Sequence, residues 1–190
     1  MAPAGILLSL VLLVLVVVRG VGNDLRDHGR LSEGTANIVA AAFLIDAMIV
    51  FVASAGHVVE IALPEPVALA VGLPLLIAGL LIAGAACREL GSRQRLLGMR
   101  IDAVVTTNAY ALSRHPFYLG ASLTLIGAAI AGQSWVALVL ATLSAVVMAV
   151  IARREERVLT ERMHDAYSSY RRRTHPLVGR AAATGSPSSR

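Results

Sequence analysis

The sequence predicts an all-α integral membrane protein of five transmembrane helices, the last two a helical hairpin, followed by a cytoplasmic amphipathic C-terminal helix. Three observations carry that reading. Apolar residues make up 56% of the 190 and charged ones only 15%, with a mean hydropathy of +0.71; an ordinary soluble domain carries roughly 25% charged residues. The apolar residues gather in stretches of membrane-spanning length. All 17 basic residues are arginines, and they fall in alternate connections between those stretches. The single cysteine, Cys87, excludes an internal disulfide framework.

The first apolar stretch, Pro3–Val18, is short but uncharged. Nothing basic precedes it and Arg19 follows it, so it reads as a span with its N-terminus outside and not as a signal peptide. The second runs from Asn37 to Val59 and is interrupted by Asp46 and His57. Asp46 lies near mid-membrane and is expected to hydrogen-bond to another helix, with substrate contact as the alternative. The third spans Val67–Cys87, where Gly72, Gly79 and Gly84 suit close helix contacts, and Cys87 reads as packing at its end. The fourth, Phe117–Ala152, holds 36 residues without a charge, too many for one crossing of about 20. Gly132-Gln133-Ser134 breaks it into spans at 117–131 and 135–152.

Residues 19–36 hold three arginines, 88–114 hold five and the chain from Arg153 onward holds nine, whereas 60–66 and 132–134 hold none. Arginine enrichment marks the cytoplasmic side. The N-terminus is therefore expected outside and the C-terminus in the cytoplasm, in the plasma membrane. The net charge of +5 records that orientation, and nucleic acid is not an expected partner. From Arg153 to Arg173 the apolar positions Leu159, Met163, Ala166, Tyr167 and Tyr170 form one helical stripe. Arg157, Glu161, Arg162, Asp165 and Arg172 lie opposite. This predicts an amphipathic helix continuing from the last span and lying against the membrane or the protein. Residues 1–176 read as a single domain and 177–190, rich in Ala, Gly, Ser and Pro, as a flexible tail.

Two polar patches could carry chemistry. In the first, Pro116 suits the opening turn of a helix, which puts Arg114 and His115 at a helix N-terminus that attracts anions. Asn108, in the turn-rich stretch before it, tolerates a left-handed backbone. The second patch is Glu155-Glu156, directly after the last span. About 100° separates adjacent residues on a helix, so at least one carboxylate can turn inward to meet Arg114 or a ligand. An ordinary charged flank with surface salt bridges is the bland alternative for both patches. The pairs His57/Glu60 and Glu161/His164 offer too few converging ligands for a metal site. Gly20-Val21-Gly22 follows an apolar helix and lacks the third glycine of a nucleotide-binding turn.

The segments Arg114-His115-Pro116-Phe117-Tyr118-Leu119-Gly120, Glu155-Glu156-Arg157-Val158-Leu159 and Tyr167-Ser168-Ser169-Tyr170 resemble the C-terminal half of the isoprenylcysteine carboxyl methyltransferase and phospholipid methyltransferase family. The likeness covers about residues 100 to 176. It implies methyl transfer from S-adenosylmethionine, at the cytoplasmic membrane face, to a lipid-like or prenyl-like acceptor: a carboxylate, amine or thiol on a lipophilic small molecule or membrane lipid. It further implies cofactor binding by Tyr110, His115, Pro116, Phe117, Tyr118 and Glu155, and by the strip Asp102, Ala103, Val104 and Val105. Arg114 and Glu156 become the catalytic candidates, Arg114 either orienting a glutamate or touching the ligand. Two positions depart from the family pattern: Asn108 and His164 each stand where glycine is usual. The competing readings are an NADPH-dependent sterol-reductase-like enzyme, whose related segment usually has Asn at the position of Phe117, and a non-catalytic membrane scaffold.

Overall fold

The structure is a computed structural model and describes residues 17–97, Met99 and residues 108–174. Helices make up the described chain, with no strand among the described residues; an isolated antiparallel bridge joins Glu60 to Ser134. The helices are α1 (17–27), α2 (Glu33–Ala55), α3 (Glu65–Leu90), α4 (Arg93–Leu96), α5 (Asn108–Leu112), α6 (Pro116–Ala131) and α7 (Trp135–Arg173). Three of them, α2, α3 and α7 over Trp135–Glu161, are long and apolar enough to cross a membrane; α6 is a shorter apolar helix. The first predicted span, 3–18, lies almost wholly outside the described residues, as do the strip 102–105 and the tail 177–190.

Arg19 and Arg26, expected in a loop, stand instead on α1. Gly20 and Gly22 both lie within this helix. Thr35 packs over Gly20, and the Arg154 guanidinium occupies the notch at Gly22 while donating to the Val18 carbonyl. The second helix begins and ends four residues earlier than the apolar stretch suggested. Ser32 caps it by accepting from the Thr35 N–H, and the Asp24 carboxylate accepts from the Ser32 N–H at 2.8 Å. These hydrogen bonds from Ser32 hold the Asp24 carboxyl below its ordinary pKa. At the other end His57 (φ 47°) and Val59 (φ 53°) turn left-handed and stop the helix. The third helix extends beyond both predicted ends, to Gly91, whose φ of 65° closes it.

The closest helix pairing joins α3 to antiparallel α6. A Cβ on Gly72 would lie 2.7 Å from the Gly127 carbonyl, and one on Gly79 would lie 2.6 Å from that of Gly120. In return, Gly120 and Gly127 face the backbone at Ala83 and Leu76. The two glycine pairs, seven residues apart on each helix, let the backbones touch, as membrane interfaces favour. Gly84 takes no part: its Cβ would meet open space, because it points off the stripe that 72 and 79 share.

The predicted break holds. Ser134 caps α7 by accepting from the Ala137 N–H, and its hydroxyl donates to the Val58 carbonyl at 2.6 Å. Ile61 N–H donates to Gln133 and Trp135 N–H to Val59, so the two arginine-free connections are tied together. From there α7 runs unbroken to Arg173, about 58 Å at 1.5 Å per residue. Of the predicted tail stripe Tyr170 is buried and Leu159 half-buried, with Val158 beside it buried as well, whereas Arg157 and Glu161 are exposed.

Gly79→Ala should lower stability by about 1–3 kcal/mol, the usual range for overpacking, and Gly84→Ala should leave it unchanged. Thermal unfolding of the detergent-purified protein measures both.

Candidate functional site

The polar cluster stands at the arginine-rich end, where α3, α5, α6 and α7 meet. It is assembled from the chain's own start and stop signals. Asn108 opens α5 with φ 41°, the left-handed backbone that its sequence position anticipated. The Ala109 N–H donates to Glu89 Oε1 at 2.8 Å, pinning α5 to the end of α3. Buried Pro116 begins α6 with His115 at its N-cap, and the His115 side chain does not cap the helix. It is free for the cluster.

There the His115 ring sits between two carboxylates. Its Nδ1 is 3.8 Å from Glu155 Oε2 and its Nε2 is 3.4 Å from Glu156 Oε1, with side-chain exposures of 14%, 19% and 17% for the three residues. Both glutamates thus reach inward; the 100° between them is absorbed by their length, one arm passing on either side of the ring. Arg114 Nη1 donates to Glu156 Oε1 at 3.0 Å, and its Nε donates to the Thr174 carbonyl at 2.9 Å. Arg114 is 9% exposed, so this ion pair is shielded and costly to break from one side. Tyr118 donates its hydroxyl to Glu155 Oε1 at 2.8 Å, and its ring stacks on His115 at 5.7 Å. Phe117 meets Tyr118 edge-on, and Phe43 of α2 meets Phe117 in the same way.

Two residues that sequence reasoning left without a role join the cluster. Glu89 has a buried carboxylate oxygen, Oε2, with no hydrogen-bond partner among the described residues, and the same holds for His115 Nε2. A carboxylate beside Arg88 at the end of a span reads as ordinary flanking charge, so nothing in the sequence singled it out. Tyr170 is buried and donates its hydroxyl to the Tyr110 carbonyl at 2.6 Å. The Tyr-x-x-Tyr motif signalled it without saying what it touches. Burial pushes the Tyr110 hydroxyl well above its usual pKa and the Tyr170 hydroxyl up to about 12.

Beside the cluster lies an apolar cavity of about 510 Å³ between α1, α2, α6 and α7. Phe43, Phe117, Tyr118, Val147 and Met148 line it, and Asp46 and Ser144 sit in its wall. The expected hydrogen bond from Asp46 to another helix is present: Ser144 Oγ donates to Asp46 Oδ2 at 2.6 Å. The structure therefore brings Tyr110, Arg114, His115, Pro116, Phe117, Tyr118, Glu155 and Glu156 together. Asp102, Ala103, Val104 and Val105 lie outside the described residues.

Apolar helices of spanning length around a buried polar cluster define an integral membrane protein with an enzyme-like site at one end of its bundle. The chain belongs to the phospholipid methyltransferase family, whose model matches residues 67–166, just over half of it. Comparison with curated proteins and with solved structures gives no significant match. The match runs from near the start of α3 into the last quarter of α7 and takes in the whole carboxylate–histidine cluster. It identifies the chain with methyl-transferring enzymes and stands against the reductase reading.

Tyr170→Phe should loosen the end of α7 over α5 and cost about 0.5–1.5 kcal/mol, the net worth of a hydrogen bond. Its raised pKa fixes the sign of the pH dependence. The contribution is full below the ordinary tyrosine value of 10.0 and is lost as pH rises through about 12. Denaturant unfolding between neutral pH and pH 12 should show a smaller alkaline loss in the Phe variant.

Proposed function

We propose that this protein transfers a methyl group from S-adenosylmethionine to a lipophilic acceptor reached from the bilayer, with the polar cluster on the cytoplasmic side. The observation that carries the reading is the position of Tyr118. Its hydroxyl belongs to the polar cluster, and its ring forms part of the wall of the apolar cavity. A water-soluble cofactor and a lipid-soluble acceptor can meet across that one residue.

The donor and acceptor set fits the cofactor. The orphaned Glu89 Oε2 and the carboxylate of Glu155 are acceptors suited to its amine and ribose hydroxyls. The N-terminal N–H groups of α6, without a side-chain cap, suit its carboxylate. Tyr110 and Tyr118 supply aromatic walls, and Pro116 and Phe117 the apolar floor beside them. When bound, the sulfonium offers a methyl carbon to an acceptor lone pair, the carbon–sulfur electrons remaining on sulfur as a neutral thioether. An amine or thiol acceptor also releases a proton; a carboxylate does not. Arg114 works through Glu156: it fixes one carboxylate, which with Glu155 brackets His115. That pre-sets the ring without reorganisation when ligand arrives.

His115→Ala and Glu155→Gln should each weaken S-adenosylmethionine binding at least about tenfold, ~1.4 kcal/mol. Hydrogen bonds to charged groups are worth about 1.5–3 kcal/mol. Glu161→Gln, exposed on the same helix, is the control. Calorimetry on the purified protein measures all three, and normal binding by both site variants would overturn the assignment.

The orientation has its own test. In a Cys87→Ala background, a cysteine at exposed Glu60 should react with an impermeant thiol reagent applied to intact cells. One at exposed Arg157 should react only after lysis. The reverse pattern would place the polar cluster on the outer face.

A further inference from the structure

The cavity beside Tyr118 carries an anomaly that the cofactor does not use. Its lining includes four polar side chains: Arg93, Tyr118, Asp46 and Ser144. Arg93 is exposed and donates to Asn37, and Tyr118 belongs to the cluster. Asp46 and Ser144 stand far from both ends of the bundle. Asp46 is thirteen residues into α2, about 20 Å along its axis, and Ser144 lies eleven residues before Glu155, about 16 Å along α7. The wall between is apolar: Phe43, Phe117, Leu140 and Met148.

A carboxylate at such depth is expensive unless donors satisfy it. Ionised, it offers about four lone-pair positions. Among the described residues, the partner seen for Asp46 is the single Ser144 hydroxyl, and no described ion pair reaches it. If the pair only fastened α2 to α7, close packing around it would serve best. Instead it faces a cavity large enough for a lipid chain. Leu44 and Ile45 of the same wall are 67% and 48% exposed on the bundle surface, so the cavity borders the bilayer that would supply its occupant.

We propose that Asp46, oriented by Ser144, is a recognition site for a hydrogen-bond donor, a hydroxyl or an ammonium, carried by the lipophilic acceptor at a distance from its reacting atom. This deepens the methyl-transfer reading and rests on it. The cavity takes the apolar body, the cluster takes the end to be methylated, and Asp46 selects acceptors with a second polar group along the chain. A plain hydrocarbon of the same length leaves the carboxylate unsatisfied and is rejected on that account.

The test uses the full-length protein in nanodiscs and three photoactivatable probes of equal chain length. These are a 1-alkanol, the 1-alkylamine and the n-alkane, each with a diazirine at the same carbon. The alkanol or the alkylamine should half-saturate labelling of α2 and α7 peptides at a concentration at least about tenfold below the alkane's. Which of the two does so distinguishes hydroxyl from ammonium. In Asp46→Asn the advantage should fall to about one, whereas Ser144→Ala, which keeps the carboxylate, should retain it. Equal labelling by all three probes in the wild type, or an undiminished advantage in Asp46→Asn, would overturn the inference. Calorimetric binding of S-adenosylmethionine by the same preparations keeps the two readings apart. Normal cofactor binding without donor preference sinks only the Asp46 site, whereas loss of cofactor binding in the wild type sinks the methyl-transfer reading itself.

Discussion

The backbone contact between α3 and α6 sets the height at which the polar cluster stands. Gly72 and Gly79 seat against Gly127 and Gly120, and one such register fixes the two helices along their length. The helices are unequal. With 16 residues α6 spans about 24 Å, short of the roughly 30 Å of hydrocarbon, whereas the 26 residues of α3 reach about 39 Å. The glycine register centres α6 on α3, so α3 overhangs it at both ends. The step between them leaves a recess above the start of α6, walled by the end of α3. Residues 108–115 fill that recess, and Glu89 anchors them through the Ala109 N–H.

The same antiparallel arrangement explains why the carboxylates meet the tyrosine. Side chains on a helix lean toward its N-terminus. Because α6 and α7 run in opposite directions, Tyr118 leans toward the arginine-rich end and Glu155 leans back toward the membrane. They converge at 2.8 Å although they stand 37 residues apart in the chain. Near Arg114 the end of α7 comes back into play: the Thr174 carbonyl accepts from its Nε, and Tyr170 donates to α5. A helix that left the membrane and wandered would leave Arg114 with less to hold. Its continuity over 39 residues makes the cluster rigid.

Much of this was legible in the sequence because it depends on local chemistry. A charge-free stretch too long for one crossing, with Gly132-Gln133-Ser134 inside it, leaves little choice but a turn there. Asn108 announces its own left-handed backbone, and Pro116 its helix start. What depends on where side chains end up was not legible. Glu155 and Glu156 both reach His115 because glutamate arms are long, which an angle on a helical wheel does not convey. Glu89 looks like any charge at a span boundary until α5 folds over it. Gly84 shares the composition of Gly72 and Gly79 but lies off their stripe, a matter of rotation about α3. On α1 the side chains beside the glycines, Thr35 and Arg154, come from distant elements.

The family likeness and the cavity divide the molecule unequally. Residues 67–166 hold the recess, the carboxylates and the histidine, all tied by directional contacts with few tolerated alternatives. The walls of the cavity contributed by α1 and α2 lie outside that range, and, apart from the Ser144–Asp46 and Arg154–Val18 hydrogen bonds, they meet α6 and α7 through apolar side chains in the clusters around Val21 and Val50. Apolar contacts of this kind accept volume-conserving exchange at small cost. The outer wall can therefore change shape without disturbing Glu155, His115 or Arg114. Tyr118 is where the constraint passes from one part to the other: its hydroxyl is fixed by Glu155, so its ring presents the same face to the cavity whatever lines the opposite side. A fixed polar half and an exchangeable apolar half are thus joined at one aromatic ring.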